Sequence, residues 1–260
     1  MTANENNPGS EHLPPLRIVA FLDILGFEDI VSKMETDAGL YDHYKDALNL
    51  IPKLPESMHI EFPGFPEYVE QATFSDCTVL SLERDSFING TVAETLIIIL
   101  SGLFGADLLR KGILLRGGIT SGWLYHDRNI LFGKGLIKTY QLEKKAARYP
   151  RIIVTDDTAR RQSRWLKLDH DGLAFINLFR FLTNHNFVAP EVLQEKRLPE
   201  FESYCRDMNI IRENCERELK RKNRELSILA NHRWLANQFN EEIRNLNDND
   251  GATPIKPITL

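Results

Sequence analysis

The sequence predicts an α+β protein in which helices flank a mixed sheet and a helical extension follows near the C-terminal end. Up to about residue 155, apolar strand-like runs alternate with helical spacing in the order strand, helix, β-hairpin, helix, strand, strand, helix, strand. This order favours a mixed sheet with helices on one face over a doubly wound sheet. Over residues 200–247 proline is absent and sparse apolar residues lie among many charged ones, which is typical of long amphipathic helices.

The first half of the chain contains the clearest local signals. Arg17–Gly26 is a short apolar run that ends in glycine, as expected of a central strand buried on both faces. Apolar positions at helical spacing predict a helix over residues 28–51. Two β segments surround Ser75–Asp76 within Tyr68–Leu82 and predict a hairpin. A long apolar helix is predicted over Asn89–Lys111.

Glycines mark the element ends that follow. Gly112 is expected to stop the long helix. A glycine-rich strand is predicted over Ile113–Leu124, and a short second β segment over Asn129–Phe132. A helix over Leu136–Arg148 and a strand over Arg151–Thr155 complete the α+β pattern.

Composition divides the chain into four segments. Residues 1–16 are polar and proline-rich and are expected to form a disordered tail rather than a secretory signal. Residues 17–198 form the α+β domain and residues 199–247 the helical extension. Residues 248–260 are expected to be a loose tail.

Charge and cysteine usage limit the classes of function. The formal net charge of −5 gives no electrostatic reason to expect a nucleic-acid partner. The three cysteines Cys77, Cys205 and Cys215 form no CxxC pair, so we expect neither a zinc site nor a disulfide framework. The apolar stretch Thr95–Leu109 is shorter than the about 20 residues of a membrane span, and Asp107 interrupts it. A cytoplasmic protein that does not enter the membrane is expected.

Two aspartates carry the strongest chemical signal. Asp23 lies inside an apolar strand, where a carboxylate costs several kcal/mol unless it is paired or bound to a metal. Asp76 lies at the predicted hairpin turn. Two acids on neighbouring strands can hold a pair of Mg²⁺ or Mn²⁺ ions about 3.5–4 Å apart. Position alone leaves a structural role open for both, because aspartate is common in turns.

Several strings resemble the class III nucleotidyl cyclases, in the order that the family shows. They are FLDILGF at Phe21–Phe27, FSDCTVLS at Phe74–Ser81, LLRGGITSG at Leu114–Gly122, and FGKGLIKTYQLEKKAARYPRIIVT at Phe132–Thr155. The resemblance spans about residues 17–160 and is closest to the Pycsar antiphage cyclases, which make cyclic UMP or cyclic CMP.

The resemblance implies roles for particular residues. Asp23 and Asp76 match the family's metal-binding aspartates, which makes them the candidate catalytic residues and implies two Mg²⁺ or Mn²⁺ ions. Ile24 falls where the family lends a backbone carbonyl to the second metal ion. The region of Phe27 would lie near the triphosphate of the substrate.

The chain departs from the purine cyclases at four positions. Ala72 and Ile130 stand where those enzymes read the base, and neither side chain forms hydrogen bonds. Ile137 replaces the asparagine that orients the ribose, and Gln141 replaces the arginine that stabilises the transition state. Both acids are nevertheless present, and this combination favours a pyrimidine triphosphate as substrate.

Other side chains must then contact the substrate. Candidate phosphate-binding cations are Arg116, Lys134, Lys138, Lys144 and Arg148. Arginine is preferred for bidentate contact with phosphate, although a solvated helix face is the alternative for Lys144 and Arg148. Tyr44, with Tyr41, is a candidate for the smaller base site, and a core aromatic is the alternative.

The resemblance implies a uridylate cyclase that converts UTP to cyclic UMP and pyrophosphate, as an antiphage second messenger for a separate effector. The alternatives are a cytidylate cyclase, a catalytically silent nucleotide-binding module, and another two-metal enzyme such as a diguanylate cyclase. The chain lacks the GGDEF-like string of a diguanylate cyclase. A homodimer with composite sites is expected, with the acids from one subunit and the Leu136–Arg148 helix from the other. The C-terminal helices either brace that dimer or pack on their own domain.

Overall fold

A mixed seven-stranded sheet with flanking helices forms the centre of the protein, as the sequence predicts. The expectation of helices on one face is wrong, because alternate residues of the first strand pack into two separate apolar clusters, one on each face, and each face carries a helix. The computed structural model describes residues 14–50, 68–86, 90–127, 130–155, 163–182, 199–222, 225–250 and 254–260. The strands in these ranges are β1 (Leu16–Ile24), β2 (Val69–Phe74), β3 (Cys77–Glu83), β4 (Leu115–Trp123), β5 (Tyr125–Asp127), β6 (Ile130–Phe132), β7 (Ile152–Val154), β8 (Leu166–Leu168) and β9 (Ala174–Ile176). The helices are α1 (Phe27–Met34), α2 (Ala38–Leu48), α3 (Gly90–Arg110), α4 (Lys134–Ala146), α5 (Pro199–Lys220) and α6 (Leu226–Asp250).

The main sheet has the strand order β2-β3-β1-β4-β7-β9-β8. Strand β1 is antiparallel to both β3 and β4, whereas β4 and β7 are parallel. Strands β5 and β6 form a separate two-stranded ribbon. Strands β8 and β9, which extend the sheet beyond β7, have no counterpart in the sequence prediction.

Helix α3 is the central helix of the core. It runs over 21 residues, so it is long and apolar enough to cross a membrane by length and composition alone, and 83 % of its apolar window is buried inside the protein. Gly112, at φ 75°, ends it, and the backbone N–H groups of Gly112 and Ile113 bond to carbonyls of the last turn. The prediction of a buried helix that stops at Gly112 is confirmed.

The single helix predicted over residues 28–51 is wrong, because two helices occupy that segment. Helix α1 ends at Met34, and Asp37 begins α2 by accepting a hydrogen bond from the backbone N–H of Leu40 at 2.9 Å. An aspartate at this position satisfies a backbone donor that the helix itself leaves without a partner.

Two glycines allow α4 to lie directly on β4. A Cβ atom at Gly122 would be 2.6 Å from the Cα atom of Gly135, and one at Gly118 would be 2.9 Å from the carbonyl oxygen of Thr139. Larger residues would hold the helix away from the strand. The close contact fixes the inner side of α4 against the sheet.

The C-terminal helices share the main hydrophobic core. Tyr204 and Met208 of α5 and Phe239 of α6 are fully buried within it. Residues 254–260, which the sequence analysis leaves as part of a loose tail, pack on α6: Ile255 and Ile258 are buried, and the Asn240 side chain bonds to both the N–H and the carbonyl of Ile258. The boundaries at residues 16 and 198 remain predictions, because residues 1–13 and 183–198 lie outside the described ranges.

A buried histidine holds the β5–β6 ribbon on the main sheet. The Ser81 hydroxyl lies 2.7 Å from Nδ1 of His126 and accepts a hydrogen bond from Nη1 of Arg17 at 3.1 Å. Burial, together with the nearby charge of Arg17, lowers the pKa of His126 to about 4. The imidazole is therefore neutral at physiological pH, and its Nδ1 is placed to accept a hydrogen bond from the Ser81 hydroxyl.

We expect His126 to make the protein less stable in mild acid. Its pKa of about 4 lies below the ordinary 6.5, so the unfolded chain binds the additional proton first as the pH falls. Stability should decrease from about pH 7 to pH 4 and then level off, with a loss of about 2 kcal/mol at pH 5. Urea unfolding at pH 7 and pH 5 measures this loss. The His126→Gln variant should lack this part of the stability loss between pH 7 and pH 5. Identical losses in both proteins would exclude His126 as the cause.

Candidate active site

Chemically active side chains from three adjacent strands align at one end of the sheet. The register pairs Asp23 of β1 with Cys77 of β3 on one side and with Arg116 of β4 on the other. Paired residues on adjacent strands point to the same face of a sheet. Cys77, Asp23 and Arg116 therefore form a row across the sheet, and Asp76 directly precedes that row.

The predicted hairpin brings Asp76 next to Asp23. Strands β2 and β3 are joined by a turn of two residues, Ser75 and Asp76, and Ser75 has φ 55°. A positive φ in a non-glycine residue costs on the order of 1 kcal/mol and is often found at functional sites. One carboxylate oxygen each from Asp23 and Asp76 and the sulfur of Cys77 lie within 4.8 Å of one another. The structure thus brings the two predicted acids together.

Hydrogen bonds hold the Asp23 carboxylate from both sides. Cys77 Sγ donates to its Oδ1 at 3.2 Å, and Arg116 Nε donates to its Oδ2 at 3.0 Å. Burial raises the pKa of the Cys77 thiol to about 12, and the adjacent carboxylates act in the same direction, so the thiol remains a proton donor. Burial and the charge of Asp23 also raise the pKa of Asp76.

The donor atoms suit a hard divalent cation. Mg²⁺ and Mn²⁺ prefer oxygen ligands, which Asp23 and Asp76 supply from two directions. Burial raises the pKa of Asp76, and the charge of Asp23 adds to this effect, so a cation beside the two carboxylates would be favoured. The residues present therefore fit an ion of this kind.

Glu143 of α4 also belongs to this site, although it was not among the residues predicted from the sequence. Its side chain is 2 % exposed, and its Oε1 lies 2.5 Å from Nε of Arg116. Burial raises the pKa of Glu143, whereas the charge of Arg116 lowers it. The signal in the sequence is the spacing of Gly135, Thr139 and Glu143, since residues four apart share one face of a helix and all three are buried.

The residues expected near the triphosphate lie just beyond Asp23. Ile24 ends β1, and the chain turns through Gly26, at φ 74°, into α1, which begins at Phe27. The Phe27 ring packs against Tyr44 with 6.0 Å between centroids. Tyr44 is 9 % exposed in the main core, where burial raises its pKa to about 12, and this placement favours the alternative of a core aromatic. The carbonyl role of Ile24 remains a prediction.

Among the predicted cations, the structure brings only Arg116 to the acids of the same chain. Lys138 lies on the outer side of α4 and Arg148 follows the helix, and both are exposed. Within the described residues, no ion pair joins either of them to Asp23 or Asp76. Their role in substrate binding remains a prediction.

No family model and no curated protein sequence matches the chain. Among solved structures, it is similar to the adenylyl cyclase CyaB from P. aeruginosa, at 13 % identity over 62 % of this chain and 92 % of that chain, with a TM-score of 0.43. It is also similar to the catalytic core of a rhodopsin-guanylyl cyclase with converted specificity in complex with ATPalphaS, at 14 % identity over 63 % and 95 % of the two chains, with a TM-score of 0.42. A third is the monomeric guanylyl cyclase domain of the RhoGC fusion protein from the aquatic fungus Blastocladiella emersonii, at 16 % identity over 63 % and 95 %, with a TM-score of 0.41.

Proposed function

We propose that this protein is a metal-dependent nucleotidyl cyclase that converts a pyrimidine nucleoside triphosphate to a cyclic nucleotide and pyrophosphate. UTP is the first candidate substrate and CTP the alternative. The observation that carries the proposal is the convergence of Asp23 and Asp76, from a strand end and a hairpin turn, within reach of one ion. The motifs that surround these two acids follow the order seen in the class III cyclases.

In this reaction, the 3′ oxygen of the ribose attacks the α-phosphorus. The new O3′–P bond forms as the bond from the α-phosphorus to the bridging oxygen of pyrophosphate breaks, and the hydroxyl proton passes to solvent. Bound Mg²⁺ or Mn²⁺ would lower the pKa of the hydroxyl and polarise the phosphoryl group. Asp23 and Asp76 would hold two such ions, together with the carbonyl of Ile24.

The polypeptide around the acids supports the binding of phosphates. Two residues separate the end of β1 from the start of α1, and no side chain caps the N-terminus of this helix. Its first backbone N–H groups lack partners within the helix, and such groups bind phosphate readily. Arg116, which already contacts Asp23, offers a guanidinium for bidentate contact with a phosphate oxygen pair.

We expect UTP and CTP to be used faster than ATP and GTP when all four compete. Ala72 and Ile130 offer no hydrogen bond that would select a purine, and sites without such bonds discriminate by only about 10- to 100-fold. Equal concentrations of the four triphosphates with Mn²⁺, followed by chromatography of the products, measure the preference. Faster turnover of either purine triphosphate would refute the pyrimidine assignment. The same experiment compares UTP with CTP directly.

A second copy of the chain is proposed to complete each site. The ribbon and the outer side of α4 expose large apolar side chains, as expected of a surface that another copy covers. These side chains are Trp123, Tyr125, Ile130, Phe132, Ile137 and Tyr140. Lys138 lies on the same helix, so a two-fold arrangement would carry it to the partner's Asp23 and Asp76.

Mixed dimers test the shared site. Asp76→Ala subunits and Lys138→Ala/Arg148→Ala subunits should each be inactive alone, while a mixture should recover part of the activity because one site in each heterodimer is intact. Differently tagged subunits that co-purify provide the control for heterodimer formation. Heterodimers that form but remain inactive would show that each site belongs to one chain.

A silent nucleotide-binding module is the second candidate function. The ribose and transition-state positions carry Ile137 and Gln141, and Arg116 occupies one side of Asp23. A silent module would bind a triphosphate with Mn²⁺ but release no pyrophosphate. In the cyclase proposal the cyclic nucleotide instead acts in the cytoplasm, on a separate effector of antiphage defence.

A further inference from the structure

Arg116 lies between two carboxylates, those of Asp23 and Glu143, and what we infer about it rests on the proposed metal site. Arg116 Nε lies 3.0 Å from Oδ2 of Asp23 and 2.5 Å from Oε1 of Glu143. A second nitrogen of the same guanidinium, Nη2, lies 3.0 Å from Oδ2 of Asp23. One cation therefore neutralises a proposed metal ligand and, at the same time, a buried glutamate.

A metal ion and Arg116 would both be drawn to the Asp23 carboxylate. Arg116 contacts its Oδ2, and the Cys77 thiol donates to its Oδ1. An ion bound to Asp23 would share the charge of this carboxylate and so weaken its attraction for the guanidinium. Leaving the partly buried guanidinium of Arg116 without a counter-ion would cost free energy. The partner that Arg116 then contacts therefore affects how readily the divalent ion binds.

Glu143 is placed to be that partner. It is 2 % exposed and lies on the inner side of α4, which the glycines of β4 hold against the sheet. Because the carboxylate is buried and the helix fixed, Glu143 cannot follow Arg116 to another position. We propose that Glu143 is a positioning residue that retains Arg116 when a divalent cation takes Asp23, and so lowers the energetic cost of loading the metal site.

The charges of the cluster agree with this role. Asp23, Asp76 and Glu143 with Arg116 carry a formal charge of −2 when all are ionised, which one divalent cation balances. Without the charge of Glu143, Arg116 would have only Asp23 as a partner and would hold it more firmly. Metal affinity should then fall even though Glu143 does not touch the ion.

Direct binding of Mn²⁺ to the full-length protein, without nucleotide, tests the proposal by calorimetric titration. Glu143→Gln keeps the shape of the side chain and should weaken the Kd for Mn²⁺ about tenfold, as seen for residues that support metal ligands in other proteins. The matched control is Glu242→Gln, a buried glutamate of α6 that bonds to Asn177 and should leave the Kd unchanged. An unchanged Kd in Glu143→Gln, with the fold intact by circular dichroism, overturns the proposal.

A double-mutant cycle separates positioning from a direct effect of charge. In an Arg116→Gln background the effect of Glu143→Gln should largely disappear, because no guanidinium is left to retain. A tenfold effect that persists there would mean that the Glu143 charge acts on the ion directly, and the positioning role would be wrong. If Arg116→Gln does not fold, Arg116→Met serves, since it also removes the guanidinium and keeps an unbranched side chain.

The same titration distinguishes this inference from the proposed function. Wild-type protein should bind Mn²⁺, and Asp23→Asn should not. If wild type binds no Mn²⁺, the metal site itself is wrong, and the proposed function and this inference both fail. If wild type binds and Asp23→Asn does not, while Glu143→Gln binds as wild type does, only the role of Glu143 is lost.

Discussion

We expect Asp23→Ala and Asp76→Ala each to abolish formation of the cyclic nucleotide while the protein still folds. Each acid supplies one side of the proposed metal site, and their oxygens lie within 4.8 Å of one another. Losing a ligand of the proposed metal ions would remove several kcal/mol of transition-state stabilisation, which corresponds to a rate about 10³-fold lower. Initial rates at saturating Mn²⁺ measure the loss.

The fold should tolerate both substitutions. Asp76→Ala removes a like charge beside Asp23, and Asp23→Ala leaves Arg116 with Glu143 as its partner. Thermal unfolding should therefore remain cooperative in both variants. Asp42→Ala is the matched control, because that exposed carboxylate forms a surface ion pair with Lys45 and its loss should leave the rate unchanged. A rate near that of wild type in either site variant, with metal saturating, would remove the acids from the mechanism.

Arg151→Met should cause the largest loss of stability, about 3–5 kcal/mol. The Arg151 guanidinium is fully buried and donates to both Asp169 and Asp171. Trp234 of α6 also donates to Asp169, at 2.9 Å, so the network ties the C-terminal helix to the loop between β8 and β9. Removing the arginine would leave the buried Asp169 charge without its counter-ion, which is the costly way to break a buried pair.

Urea unfolding at neutral pH measures this change. Lys45→Met is the matched control, because it breaks an exposed ion pair and should leave the free energy of unfolding nearly unchanged. The hydrogen bond from Arg151 lowers the pKa of Asp171, so its contribution is present above the ordinary value of 3.8 and is lost as the pH falls below it. The difference in the free energy of unfolding between wild type and Arg151→Met should therefore become smaller as the pH falls below 3.8. Equal stabilities of the two proteins at neutral pH would contradict the role of this network.

Local signals explain why much of the fold could be predicted from the sequence. The apolar run of β1, the turn at Ser75–Asp76 and the glycine that ends α3 are each determined within a few residues. Strands β8 and β9 have three residues each, which is too short for an alternating period to mark them, and they are defined by pairing, β9 with β7 and β8 with β9. The break before α2 depended on the side-chain cap of Asp37, which helical spacing alone does not reveal.

The candidate site was predictable only in part, for a similar reason. Asp23 and Asp76 stand out because a strand and a turn place them in positions that the sequence itself defines. Glu143 lies in the charged segment QLEKKA, where a solvated helix face is the ordinary expectation. Its burial follows from the glycines of β4, which let α4 approach the sheet, and this is a tertiary contact. Tyr44 was ambiguous for the converse reason, since an aromatic residue suits a base site and a core equally well.

The most direct test is the identity of the product made by the wild-type protein. Pure protein is incubated with Mn²⁺ and, separately, with each of the four nucleoside triphosphates labelled at the α-phosphate, and the products are identified by mass spectrometry. We predict a 3′,5′-cyclic nucleotide that retains the label, formed from UTP first, with one pyrophosphate released for each cyclic product. A linear monophosphate, or no product from any of the four triphosphates although they bind, would contradict cyclase activity at Asp23 and Asp76.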